Sequence, residues 1–219
     1  MKLRIDTSRS YALALEGGGA KGAYQIGAWK ALREAGVRIR AVSGSSVGAL
    51  NGAMIVMGDV KKAEEVWANI RYSQVLDVDD ETMHNLLNGK LLKLDLRSAL
   101  ETVQDVVRNR GLDITPLSNW IREVVDEPTV RASDMELYIV TYSLEQQKEL
   151  ELRARDIPEG QLHEMLLASS YLPFFHNERL AGKYADGGVR DVLPLHVLLE
   201  NGYKDIIALR LYGIGLERR

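Results

Sequence analysis

The chain has 219 residues and a mass of 24.5 kDa, with 46% hydrophobic and 27% charged residues, which suits one packed core and excludes a disordered chain. A net charge of −3 and a pI near 5.9 exclude the strongly basic footprint of a nucleic-acid binder and a polybasic membrane anchor. The absence of cysteine removes disulfide scaffolds, thiol nucleophiles, cysteine-ligated zinc and iron–sulfur clusters.

The opening MKLRIDTSRS is basic but leads into a short apolar run that Glu16 interrupts, so no secretory signal is expected. No window reaches the roughly 18 apolar residues of a membrane span, and the expected location is the cytoplasm. Tyr11–Leu15 has strand length, and Gly17-Gly18-Gly19 stops it. Tyr24, Ile26, Ala28, Trp29, Ala31 and Leu32 then follow helical spacing opposite Lys30, Arg33 and Glu34, with Gly36 as the stop. Ile39–Val42 is a short strand candidate ended by Gly44 and its serines. Val47–Met57 is almost entirely apolar or small, which predicts a helix buried on most sides. This strand–helix–strand–helix order predicts an α/β fold with a parallel sheet and right-handed crossover.

Lys61–Ile70 predicts another helix with Trp67 on its apolar side. Residues 71–115 mix polar residues with Leu86, Leu87, Leu91, Leu92 and Leu94 and read as short helices forming an insertion. Leu137–Thr141 predicts a strand with Glu149–Leu152 as its short partner. Gln161–Ser169 has helical spacing, Asp186-Gly187-Gly188 is a turn signal, Leu195–Glu200 a helix and Ile206–Leu211 a last buried strand. The expectation is one α/β domain over residues 1–219, without repeats.

Three motifs carry chemistry. Gly17-Gly18-Gly19-Ala20-Lys21-Gly22 fits the G-x-G-x-x-G pattern of a dinucleotide site. No acidic residue closes the second strand to hold a ribose, because Val42 runs into Ser43-Gly44-Ser45-Ser46. A P-loop is excluded, since no Gly-Lys-Ser/Thr follows. A tight turn that packs helix against sheet is the plain structural alternative for the glycines. A third reading is a set of backbone N–H groups converging at a helix N-terminus to stabilise an oxyanion.

Gly44-Ser45-Ser46-Val47-Gly48 matches the G-x-S-x-G nucleophile elbow between a strand and a helix. Ser46 holds its centre, with Ser43 and Ser45 as neighbouring competitors. A serine hydroxyl needs a base to become a nucleophile. Of the histidines, His84 lies in the insertion, His163 and His196 in helical stretches, and His176 follows Phe174-Phe175; none has a convincing triad context. Asp186-Gly187-Gly188 projects a carboxylate from a tight turn and offers another base, although Asp-Gly alone also reads as an ordinary turn.

GGGAKG, GSSVG and DGG, in this order, resemble the patatin-like phospholipase family of lipid acyl hydrolases. The resemblance runs through EGGGAKGAYQIGAWKALREAG and VSGSSVGALNGA, and through ASSYLPFF and DGGVRDVLPL. It implies a three-layer α/β/α fold with a mainly parallel central sheet and a serine–aspartate dyad without histidine. Carried over, Ser46 is the nucleophile and Asp186 its base. Gly17, Gly18, Gly19 and the turn around Lys21 and Gly22 supply the oxyanion hole. No metal and no cofactor are implied. The substrate is a lipid or other carboxylic ester, with peripheral membrane contact and no nucleic acid. Val192 departs from the asparagine that family members often carry before the proline after DGG, here Pro194. Phe174-Phe175 and Leu86–Leu94 are candidates for an acyl-chain wall. A carboxylesterase for short soluble esters, a non-catalytic lipid- or protein-binding module and a nucleotide-binding oxidoreductase remain the competing classes.

Overall fold

In the computed structural model of the protein, residues 5–75, 112–172, 175–177 and 180–212 are described. Strand β1 (Ser10–Leu15) leads through the glycine loop, whose residues Gly19–Gly22 form a 3₁₀ turn, into helix α1 (Ala23–Glu34). Strand β2 (Arg38–Ser45) returns parallel to β1, with Ser10 opposite Arg38 and Leu15 opposite Gly44. Helix α2 (Val47–Met57) follows at once. The parallel strand–helix–strand–helix opening is therefore present. β2 runs three residues further than Ile39–Val42 suggests. Ser43, Gly44 and Ser45 have weak strand propensity but gain pairing partners in β1 and β4, so tertiary pairing overrides composition.

Helix α3 (Val60–Asn69) begins where the Asp59 side chain accepts from the Lys62 N–H, an ordinary N-cap. After the two-residue strand β3 (Leu112–Asp113) come α4 (Thr115–Val124) and α5 (Glu127–Ala132), which are additional to the expected elements. α4 buries Leu117, Trp120, Ile121 and Val124, one stripe at helical spacing. Strands β4 (Glu136–Ser143) and β5 (Lys148–Arg153) pair as expected, and the pairing is antiparallel. Helix α6 (Leu162–Ser169), the short strands β6 (Phe175–His176) and β7 (Tyr184–Asp186), helix α7 (His196–Glu200) and strand β8 (Ile206–Leu209) complete the described chain. Residues 76–111 of the expected insertion, including Leu86–Leu94, lie outside the described residues.

The main sheet has the order β5-β4-β2-β1-β8, with β7 also paired to β4. Alternation along the strands divides the core. Leu13, Leu15, Val42, Leu137 and Ile139 face the helical layer of α1, α2, α4 and α6. Ala12, Ala14, Ala41 and Tyr138 face Val197 and Leu198 of α7 on the other side. The result is three layers around a mainly parallel sheet. β8 is not fully buried as expected: it lies at the sheet edge beside β1, and Ala208 is exposed. Among the described residues no helix is long and apolar enough to cross a membrane.

One detail of the sheet positions the site. β2 pairs with β4 from Ala41–Glu136 to Ser45–Val140 and stops. The next residue of β4, Thr141, pairs with Asp186 of β7, which runs antiparallel. Two strands thus end nose to nose along one edge of β4. Their C-terminal residues, Ser45 and Asp186, are neighbours in register.

Candidate active site

Ser46 occupies the point where β2 turns into α2. It has φ +55° and ψ −128°, a conformation that costs a non-glycine residue roughly 1–3 kcal/mol and clusters at functional sites. Every residue from Ala41 to Val56 is buried except Ser46, which is half-exposed. The flanking glycines permit this turn. A Cβ on Gly44 would lie 2.2 Å from the Gly48 carbonyl oxygen, and one on Gly48 would lie 2.4 Å from the Leu15 carbonyl oxygen. No other residue type fits that approach of helix to sheet. Ser43 and Ser45, by contrast, are fully buried; the Ser43 hydroxyl donates to the Pro194 carbonyl.

The Ser46 N–H donates to Ser169 Oγ at 2.9 Å, and the Ser169 hydroxyl donates to the Val140 carbonyl at 2.6 Å. Ser169 thereby fixes the strained turn to the neighbouring strand β4. The sequence reading does not single it out. Its signal is a serine among Leu166, Leu167 and Ala168 on a buried helix, where a polar group must have a partner.

Asp186 is 5% exposed, and the Ser46 side chain is close enough to its carboxylate to favour the ionised form. The Gly188 N–H donates to Asp186 Oδ1 at 2.7 Å. Burial pushes the Asp186 carboxyl above the ordinary aspartate range, and the nearby Ser46 side chain and the Gly188 N–H oppose that rise only in part. The backbone is also held, with the Asp186 N–H donating to the Tyr171 carbonyl at 2.6 Å.

The glycine loop lies against this pair. A Cβ on Gly17 would sit 3.3 Å from Ser46 Cβ. The predicted oxyanion residues do not all offer N–H groups, however. The Gly17 N–H donates to the Val192 carbonyl at 2.8 Å and the Lys21 N–H to the Gly18 carbonyl at 3.4 Å. The N–H groups of Gly18 and Gly19 have no hydrogen-bond partner among the described residues. Gly22 closes the 3₁₀ turn just before α1, and the Lys21 ammonium sits 3.8 Å from the Tyr212 ring centroid. Val192 meets the loop through its backbone carbonyl, so the missing asparagine side chain does not remove that contact.

His163 and His196 have partners of their own away from Ser46 and Asp186. His163 Nε2 pairs with the Val125 carbonyl at 2.8 Å, and its Nδ1 faces Glu127. The His196 side chain is 69% exposed beside Glu151 and Glu200 on the outer surface. His84 lies outside the described residues, and His176 belongs to strand β6. Phe175 packs edge-on to Tyr171, ring centroids 6.4 Å apart, and against the main core, which is a core role. Phe174 lies outside the described residues.

An ordered glycine loop, serine elbow and buried aspartate on this sheet coincide with one family profile, that of the patatin-like phospholipases, which matches residues 13–199. The chain belongs to the patatin-like phospholipase family. It is 35% identical to patatin-like phospholipase domain-containing protein 7 of Rattus norvegicus over 216 residues, covering 94% of this chain and 14% of that protein. A 46-residue stretch is 54% identical to lysophospholipase nte1 of Aspergillus terreus, covering 21% of this chain and 3% of that protein. This patatin-like chain therefore spans a small part of the length of both relatives. The crystal structure of VipD from Legionella pneumophila has the same fold, with a TM-score of 0.55 at 17% identity over 91% of this chain and 49% of that one.

Proposed function

We propose that this patatin-like chain is a serine acyl hydrolase that cleaves carboxylic ester bonds of lipids, of the phospholipase A or lysophospholipase type, at a lipid surface it contacts peripherally. The observation that carries the reading is the half-exposed, positive-φ Ser46 next to the buried Asp186 carboxylate, at the point where β2 and β7 meet along β4. The Ser46 oxygen attacks the ester carbonyl carbon while its proton passes to Asp186. The carbonyl oxygen becomes an oxyanion facing the Gly18 and Gly19 N–H groups. Collapse expels the alcohol, which takes the proton from Asp186, and leaves an acyl-serine. Water then attacks the acyl carbon, Asp186 accepts its proton, and Ser46 leaves with that proton as the fatty acid is released. A free aspartate, with a pKa of about 4, is a weak base, so the burial of Asp186 is a functional property.

The test is release of fatty acid from phosphatidylcholine and lysophosphatidylcholine, compared with a short chromogenic ester. Turnover of all three is expected. Cleavage of the short ester alone would assign a carboxylesterase, and no turnover of any would assign a binding module. A second expectation concerns the base. Replacing His84, His163, His176 and His196 one at a time should leave ester hydrolysis within about tenfold of the unmodified protein, under about 1.4 kcal/mol of barrier. A thousandfold loss at any one of them would install that histidine in a triad and overturn the two-residue scheme.

A further inference from the structure

A continuous polar relay lies inside an otherwise apolar interface and takes no part in the scheme above. Gln25 of α1 and Asn51 of α2 are fully buried, and every other residue from Val47 to Val56 on α2 is small or apolar. The Trp67 indole N–H, from α3, donates to Asn51 Oδ1 at 2.8 Å. Asn51 Nδ2 donates to the Gly22 carbonyl at 2.9 Å and to Gln25 Oε1 at 2.8 Å. Gln25 Nε2 donates onward to the Glu16 carbonyl at 2.7 Å. Glu16 and Gly22 are the residues on either side of the Gly17–Lys21 segment. One side-chain relay therefore grips both ends of the glycine loop.

The relay has a single self-consistent direction. An indole nitrogen only donates, and a backbone carbonyl only accepts. Between those fixed ends, the Asn51 carbonyl must face Trp67, its amine must face Gly22 and Gln25, and the Gln25 amine must face Glu16. Turning either amide over would oppose acceptor to acceptor in a buried site, where an unmade hydrogen bond is costly. The loop also has no slack at this end, since a Cβ on Gly22 would lie 2.5 Å from Val47 Cγ2. A merely space-filling residue at position 51 would need no such orientation.

We propose that Asn51, oriented by Trp67, is a positioning residue that holds the glycine loop with its Gly18 and Gly19 N–H groups turned toward the developing oxyanion. The inference rests on the reading of that loop as the oxyanion hole. Asn51 touches no substrate; it acts through the carbonyls of Glu16 and Gly22. Its contribution therefore belongs to the transition state, in which the oxygen carries charge, and not to ground-state binding.

Asn51→Asp keeps the shape but sets an oxygen against the Gly22 carbonyl and Gln25 Oε1. Trp67→Phe deletes the indole donor together with part of the ring volume, a packing loss that the number of titratable sites and the melting temperature register separately from kcat per site. Each variant is counted by active-site titration with a fluorophosphonate, and kcat per titrated site and KM are measured on a short chromogenic ester. Asn51→Asp should lower kcat per site by about 10²-fold, the scale of one lost oxyanion donor, with KM within about threefold. Trp67→Phe should lower kcat per site by roughly threefold to tenfold, the scale of one neutral hydrogen bond. Fewer titratable sites with normal kcat per site would mean that the relay only stabilises the fold, and would overturn the proposal. If Asn51→Asp does not fold, Trp67→Phe decides alone, and unchanged kcat per site in it refutes the inference. A Ser46→Ala control separates the two failures. Hydrolysis surviving that change defeats the serine scheme itself, whereas Ser46-dependent hydrolysis with normal kcat in the relay variants defeats only the role of Asn51.

Discussion

Ser46→Ala is expected to abolish covalent labelling by a fluorophosphonate and to lower ester hydrolysis by about 10⁴-fold or more, the scale set by removing a nucleophile from a serine hydrolase. The fold should survive. Ser46 is half-exposed, its N–H bond to Ser169 is a backbone bond that alanine keeps, and alanine inherits the same positive φ without new bulk. Melting temperature and circular dichroism of the variant check that point independently of activity. Ser43 and Ser45 cannot substitute, because both are wholly buried beneath the elbow. Labelling that persists in the alanine variant, or a modified peptide carrying the probe on Ser43 or Ser45, would overturn the assignment.

Asp186→Asn should lower turnover by about 10²–10⁴-fold, the range for loss of a general base. The amide has nearly the same shape and can still accept the Gly188 N–H, so basicity is the property removed. The same substitution should stabilise the protein. Burial raises the folded-state pKa of Asp186, so the folded protein holds this proton more tightly than the unfolded chain does. The carboxylate therefore detracts from stability increasingly as pH rises from the ordinary aspartate value through the raised one, and fully above it. The Asp186→Asn variant should melt higher than the unmodified protein at neutral pH, and the difference should vanish in acid below the ordinary aspartate pKa. Activity of the unmodified protein should follow the opposite course. It should climb with pH through a pKa above the ordinary aspartate range, because only the ionised carboxylate takes the serine proton. Near-normal turnover by the asparagine variant would remove Asp186 from the chemistry, and a lower melting point at neutral pH would contradict the buried-charge account.

The parts of this molecule that are legible in the sequence are those whose physics is local. The elbow at Gly44–Gly48 is readable because the close approach of backbone to backbone admits only glycine at its two ends. α2 is readable because a helix buried all round must be apolar all round. β2 is read too short, since Ser43–Ser45 take strand geometry from neighbouring strands and not from propensity. α4 carries a clear apolar stripe but adjoins a stretch of mixed composition that obscures its start. The glycine loop is visible as a motif, yet which of its N–H groups are occupied depends on Val192, far away in the chain. Ser169, Gln25 and Asn51 are invisible for a related reason. Each is an ordinary polar residue until packing decides which backbone carbonyl or N–H it meets.

The hydrogen bond from the Gly17 N–H to the Val192 carbonyl joins the loop to the segment that begins with Asp186. The backbone of Asp186 itself hangs from Tyr171 and Thr141. The chain between Asp186 and Val192 consequently forms one mechanical link between the Asp186 carboxylate and the glycine loop. Lifting it from β4 would withdraw the carboxylate and release the loop in the same movement. In the proposed scheme, a substitution that loosens any of these seven residues should therefore disturb the base and the glycine loop together.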